Sequence, residues 1–280
     1  YALGARGVII SGSRFVGNRA ANGGAIAMLY ANPGIYNTVF ENNTAEGTGM
    51  NYVEQGCPGL GHANQGGAGG LGGGVYFDGM NDDGVVYTLC GCSFINNRCN
   101  ELGGALFRTP NVAMREMLID RCTFDRNTAK SGSVSFIKQN AVTVRASLFA
   151  NNAAGRDVSG KSVAGSLGLW VNTGSVDIVN STFYRNSPGI NIEGSASKVT
   201  NSTIVQSPIA GPLTLNNCIL QDMSCGGTAL GGANNIQWPT GNACAGGTTF
   251  VNPLLGSLAD NGGPTMTCLP EAAASMIAVG

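Results

Sequence analysis

Short runs in which apolar and polar residues alternate recur along the chain, and each leads into a phenylalanine. Val142-Thr-Val-Arg-Ala-Ser-Leu-Phe149 and Val176-Asp-Ile-Val-Asn-Ser-Thr-Phe183 are the clearest. Alternation over four to eight residues with β-branched enrichment predicts half-buried strand, because successive side chains on a strand face opposite ways. Three residues after each phenylalanine stands an asparagine: Phe15 and Asn18, Phe40 and Asn43, Phe94 and Asn97, Phe124 and Asn127, Phe149 and Asn152, Phe183 and Asn186. The phenylalanines lie 25, 54, 30, 25 and 34 residues apart, and the longest gap reads as two units, one without its phenylalanine. Ile204, preceded by Asn201-Ser-Thr, reads as a degenerate seventh copy.

A second motif keeps phase with the first. Gly23-Gly-Ala-Ile26, Gly72-Gly-Gly-Val75 and Gly103-Gly-Ala-Leu106 each precede another short apolar run, and Ser131-Gly-Ser-Val134 and Ala164-Gly-Ser-Leu167 read as looser copies. Asparagine and glycine tolerate positive φ at sharp corners. A unit of two or three short strands with tight corners predicts one coil of a parallel β-helix, stacked on the next at about 4.8 Å. The fold class expected is therefore all-β, a solenoid of roughly ten coils. A β-sandwich built of ordinary strand and turn residues has no reason to hold two motifs in phase. Stacked phenylalanines would fill the interior, and the asparagines, in left-handed corners, would bond to coils above and below.

Composition narrows the rest. Of 280 residues 43% are hydrophobic and 11% charged, with 44 glycines and 29 asparagines, which excludes a disordered chain. With a net charge of −1 and no basic stripe, nucleic acid is not an expected partner. No apolar run reaches the ~20 residues of a membrane span. His62 is the only histidine and no Cys/His cluster has zinc spacing, so neither metal nor cofactor is expected. Nine cysteines favour an oxidising, extracellular or cell-surface setting. Cys225 and Cys244 flank a loop and form the preferred disulfide. Cys57 with Cys99 or Cys90, and Cys218 with Cys268, are further candidate pairs. Cys92 and Cys122, two residues before repeat phenylalanines, should point inward as free thiols.

One domain over 1–280 is expected, with a glycine-rich insertion at about 46–74, containing Gly56-Cys-Pro-Gly and His62, and an irregular portion from about 221 to 280. Tyr1 to Ile10 and Met276 to Gly280 both read as strand with no capping helix, which implies either a slice of a longer chain or a further copy covering each end, and head-to-tail contacts of the second kind build filaments. Asn42, Asn180 and Asn201 head Asn-x-Ser/Thr triplets.

Phe-x-x-Asn together with Gly-Gly-Ala-[Ile/Leu/Val] resembles the repeat pair of the chlamydial polymorphic outer membrane protein passenger domains. The segment Asn252-Pro-Leu-Leu-Gly-Ser-Leu-Ala-Asp-Asn-Gly-Gly-Pro-Thr265 is similar to the closing segment of bacterial surface-anchored β-helix proteins. The resemblance covers most of residues 10–270 and implies a right-handed solenoid on or outside the cell. It brings no catalytic residue with it.

The function expected is a non-catalytic exported structural protein, an adhesin-like rod or a filament subunit, with surface anchoring and glycan or host-surface contact as possible partnerships. The alternative is a polysaccharide lyase or glycoside hydrolase, which requires clustered carboxylates for acid/base work, or carboxylates holding Ca²⁺ beside a lysine or arginine base. Candidates are Asp82 with Asp83, and a group of Glu116, Asp120 and Asp125 beside Arg121.

Overall fold

The computed structural model describes residues 1–31, 33–49, 68–79, 86–110, 115–138, 140–162, 168–172, 174–194, 196–223, 225 and 230–272. Among these, every regular element is a β-strand and every pairing between strands is parallel. The protein is a right-handed parallel β-helix.

One coil shows the plan. A glycine-side strand, Leu106–Thr109, leads to an alternating strand, Arg115–Asp120. A corner at Arg121 (φ 51°) turns the chain into the phenylalanine strand, Thr123–Asp125. A second corner at Arg126 (φ 55°) opens the two-residue strand Thr128–Ala129. Stacking these coils gives sheets of eight, nine, ten and five strands respectively.

Inward positions form continuous columns. On the alternating sheet the register runs Ile10, Ile35, Leu89, Ile119, Val144, Ile178, Val199, Leu215. On the glycine-side sheet it runs Met28, Phe77, Arg108, Ile137, Val171, Ile192. These side chains join the repeat phenylalanines in one core, apart from the guanidinium of Arg108. No coil could bury its inward residues alone, so the core exists only through stacking.

Two expectations about the repeat need correction. Phe40 pairs directly with Phe94, so the 54-residue gap is one coil carrying an insertion and not two units. The insertion leaves beside Thr48–Gly49, and the chain re-enters parallel to it at Ala68–Gly69. A coil needs only its strands in register, and a surface loop can lengthen at small entropic cost, so residue counting alone cannot tell a lost repeat from an added loop. Most of the glycine-rich stretch itself, residues 50–67, lies outside the described residues.

The glycine motif also slips. The first glycine of each copy occupies positive φ at Gly23, Gly72 and Gly103, and the fourth member of that column is Gly132, with Leu102 bridging to Ser131. Ser131-Gly-Ser-Val134 is therefore displaced by one residue, and Ser135 takes the inward place of Leu106. Ala164 to Leu167 fall outside the described residues, and the next strand of that sheet begins at Leu169. The second glycine is required by space: a Cβ on Gly73 would sit 2.2 Å from the Gly104 carbonyl oxygen and 2.4 Å from that of Arg98.

The two ends differ. At the first coil Val8, Ile10 and Phe15 are only half-buried, and Tyr1, Leu3 and Ile9 are exposed. At the other end the glycine-side sheet stops at Ile209–Ala210, the alternating sheet at Gly231–Ala233 and the phenylalanine sheet at Thr248–Phe250. Strands thus continue well past residue 221. The segment that follows doubles back as a hairpin, with antiparallel bridges Leu255 to Pro270 and Ala259 to Thr267. Thr265 Oγ1 donates to the Ala146 carbonyl (3.3 Å). Leu148 and Ala150 face outward on either side of Phe149 yet are buried, and the Thr265 hydrogen bond brings this segment to Ala146, two residues before Leu148; Val205, also buried, lines one groove with Leu255 and Gly256 of the same segment. Met276 to Gly280 lie outside the described residues.

Candidate functional site

The most regular constellation is the pair of internal ladders. The rings of Phe15, Phe40, Phe94, Phe124, Phe149 and Phe183 stack at centroid separations of 5.2, 4.7, 4.9, 5.0 and 4.6 Å, within 9° of parallel. Each contact contributes about 0.5–1.5 kcal/mol beyond burial itself. Ile204 and Leu220 continue the column.

Beside the rings runs an amide ladder. Asn97 Nδ2 donates to Asn127 Oδ1 (3.1 Å) and to the Phe40 carbonyl (2.9 Å), and the Asn97 backbone N–H shares the same Asn127 oxygen (3.0 Å). Asn18, Asn43, Asn127, Asn152 and Asn186 repeat the amide link to the coil that follows, and from Asn43 onward also the link to the phenylalanine behind. The series closes at Ser207, whose hydroxyl accepts from Asn186 and donates to Val205 O. Only a primary amide offers two donors and a two-lone-pair acceptor at this length, so aspartate or leucine would strand buried groups. One detail departs from expectation. The left-handed corner is occupied by the residue before each ladder asparagine: Gly17, Asn42, Asn96, Arg126, Asn151 and Arg185.

A third ladder was read from the sequence only at Cys92 and Cys122, which are buried free thiols as expected. Two residues before each phenylalanine sits an inward Ser, Thr or Cys. Ser147 Oγ accepts from Cys122 N (3.1 Å) and donates to Arg145 O (2.8 Å), and Ser181 and Ser202 repeat the pattern. Cys92, Cys122 and Cys218 take the same place, their thiols reaching the Ile35, Leu89 and Val199 carbonyls. The signal was present as small polar residues at fixed phase, hidden by the change of residue type. Burial pushes the Cys218 thiol up, and Cys122 likewise.

Cys225 and Cys244 are bonded, with Cα atoms 5.5 Å apart across 19 residues. The other suggested pairings do not occur among the described residues: Cys90, Cys99, Cys218 and Cys268 are all free thiols. Cys99 and Cys218 are spent on inward positions of the coils, where stacking fixes their neighbours. Cys57 lies outside the described residues.

Buried Arg108 was also unforeseen. Its guanidinium lies 3.4 Å from the Tyr87 ring centroid, and the Tyr87 hydroxyl donates to the Ala31 carbonyl. Burial lowers the Arg108 pKa to about 10, with Tyr87 opposing, so the group stays charged at neutral pH.

The candidate carboxylates do not converge. Asp120 accepts from Arg145 Nε (2.9 Å) and pairs with Arg121 (3.0 Å). Burial works to raise its pKa, but Arg145 and Arg121 outweigh that and hold it below the usual range. Asp125, on the neighbouring sheet, is taken by Arg126 (2.7 Å) and Asn151 Nδ2 (3.0 Å). Glu116 shares a strand face with Asp120 four residues away, about 13 Å at 3.3 Å per residue. Paired-carboxylate glycan cleavage needs roughly 5–9.5 Å. Asp82 and Asp83 lie outside the described residues. No group of three or more His, Cys, Asp or Glu that could hold a metal occurs among the described residues.

One polar groove of about 420 Å³ opens on the outer surface, lined by Arg19, Asn42, Thr44, Glu46, Asn96, Arg98, Val158 and Ser159. Arg19, Thr44 and Arg98 are register partners on three successive coils. Asn96 Nδ2 donates to Asn42 Oδ1 (2.5 Å), and an Arg98 N–H to Asn96 Oδ1 (3.2 Å). Arg19 is paired with Glu46.

With this geometry in hand, comparison with known proteins gives one match. The family model described as right handed beta helix region matches residues 67–238, more than half of the chain, and the protein belongs to that family. No curated protein and no solved structure matches it.

Proposed function

We propose that this is a non-catalytic exported structural protein, working as a cell-surface rod or as the subunit of an extracellular filament. The observation that carries the reading is the unbroken run of phenylalanine and asparagine rungs from Phe15 to Asn186, which spends the repeat on axial stiffness. The ion pairs of Asp120 with Arg121 and Arg145 and of Asp125 with Arg126 support it, because each carboxylate is already engaged by a cation. The Cys225–Cys244 bond supports an oxidising location.

The test combines imaging with turnover. Purified protein viewed by negative-stain microscopy at rising concentration is expected to form end-to-end rods, and uniformly single particles would remove the filament form. Incubation with polygalacturonate and alginate is expected to leave chain length unchanged. Shortened products would replace the structural reading with the enzymatic one.

A further inference from the structure

The polar groove is built from a repeated surface and a fixed wall. Three rungs, about 4.8 Å apart, place Arg19, Thr44 and Arg98 in line. The wall is the loop 155–161. Asp157 Oδ1 accepts from Ser159 N (2.9 Å), Ser159 Oγ (2.6 Å) and Lys161 N (2.9 Å), and Val158 N donates to Asn100 Oδ1 (3.1 Å). The wall is thereby anchored to the coil that carries Arg98.

The chemistry of the lining is selective. Arg19 is neutralised by Glu46, whereas Arg98 meets no carboxylate among the described residues and gives one hydrogen bond, to Asn96. A guanidinium has five donors, so most of the fork faces the groove or solvent. Around it stand two amides and two hydroxyls, each both donor and acceptor, and the sole aliphatic side chain is Val158. A peptide or lipid would need apolar pockets that the lining lacks. A nucleic acid would bring several phosphates against one uncommitted cation and Glu46. A polyhydroxylated chain carrying a carboxylate matches every group: hydroxyls to Asn42, Asn96, Thr44 and Ser159, and the carboxylate to the Arg98 fork in bidentate fashion.

We infer that this groove binds a carboxylated sugar unit of an acidic glycan and does not cleave it. The inference rests on the non-catalytic reading above and adds the ligand class. Retention without hydrolysis follows from the lining, whose one carboxylate, Glu46, is tied to Arg19, whereas hydrolysis requires an acid and a second carboxylate.

Isothermal titration calorimetry at low salt would use three probes, oligogalacturonate, hyaluronan oligosaccharide and sialyllactose, each beside its methyl ester. At least one free acid is expected to bind, and esterification to weaken it about tenfold or more, the worth of one charge-assisted hydrogen bond. Arg98→Ala should bring the same loss with an unchanged melting temperature, and Arg98→Lys should retain part of the affinity. If all three acids fail to bind, or if affinity survives both esterification and Arg98→Ala, the inference is overturned. Should Arg98→Ala disturb folding, the ester comparison on the unaltered protein still decides. Chain length of the recovered glycan separates the two readings: shortening defeats the non-catalytic one, while loss of binding without shortening defeats only the groove.

Discussion

Between Phe15 and Asn186 every coil repeats the contacts of its neighbours, whereas between Ile204 and Phe250 the coils are closed by contacts that occur once. In the first region each ring meets a ring and each amide meets an amide. In the second the ring column passes to Ile204 and Leu220, and the amide ladder ends in the Ser207 hydroxyl. The spacing between equivalent residues contracts to 21, 16 and 17. A disulfide then joins Cys225 to Cys244, and the 251–272 segment folds back over the outer face. The difference shows that a repeat propagates order but cannot end itself. An asparagine in the ladder always calls for another acceptor, so closure must come from residues outside the pattern.

The sharpest way to test this contrast is Phe124→Ala, which opens a gap between rings 4.9 and 5.0 Å away. It is expected to cost about 3–5 kcal/mol in urea unfolding. Phe15→Ala, at the half-buried end of the same column, should cost clearly less. Equal losses would mean that the ladder does not act as a chain of neighbour contacts.

Reducing Cys225–Cys244 should come next, at about 3 kcal/mol for a loop of this size. Hydrogen exchange should show lost protection confined to the coils after Ile204, with the amides near Phe94 and Phe124 unchanged. Spread of the loss into the repeated region would erase the boundary drawn between the two.

Asn127→Ala removes an amide whose partners are Asn97, Asn152 and the Phe94 carbonyl, all buried. Unsatisfied groups of this kind cost about 1–3 kcal/mol. The chemical denaturation midpoint should fall accordingly, and Asn127→Asp should restore none of the stability, because a carboxylate lacks the two donors.

The smallest effect expected is electrostatic. With its folded pKa depressed, Asp120 contributes stability above the unfolded value near 4, and that contribution fades as pH falls through the lower folded value. Asp120→Asn should lose about 1–2 kcal/mol at pH 7 and show a flatter acid limb in thermal melts. An unchanged acid limb would mean that Arg121 and Arg145 do not hold this carboxylate in solution.

Much of the fold was legible because its core is periodic. Phe15 to Phe183 and their asparagines announced strand, corner and stacking partner together, and the Cys225–Cys244 bond followed from two cysteines flanking one loop. Of the serine and cysteine ladder only Cys92 and Cys122 were legible, since Ser, Thr and Cys fill one geometric role with different letters. The slip at Ser131 had a related cause. Two glycine-like residues in a row can be aligned either way, and only the positive φ of Gly132 selects the register. Arg108 resembled any other strand cation until Tyr87 was found beneath it.

The period, the inward residues of the repeat and hence the β-helix can be read along the chain, because stacking like on like is written there as recurrence. Tertiary packing settled that Phe40 neighbours Phe94, that Thr265 reaches Ala146, and that Arg98 stands beside the 155–161 wall. Those relations join residues whose separation follows no period: they depend on where an insertion leaves and re-enters the coil, and no local pattern encodes that distance.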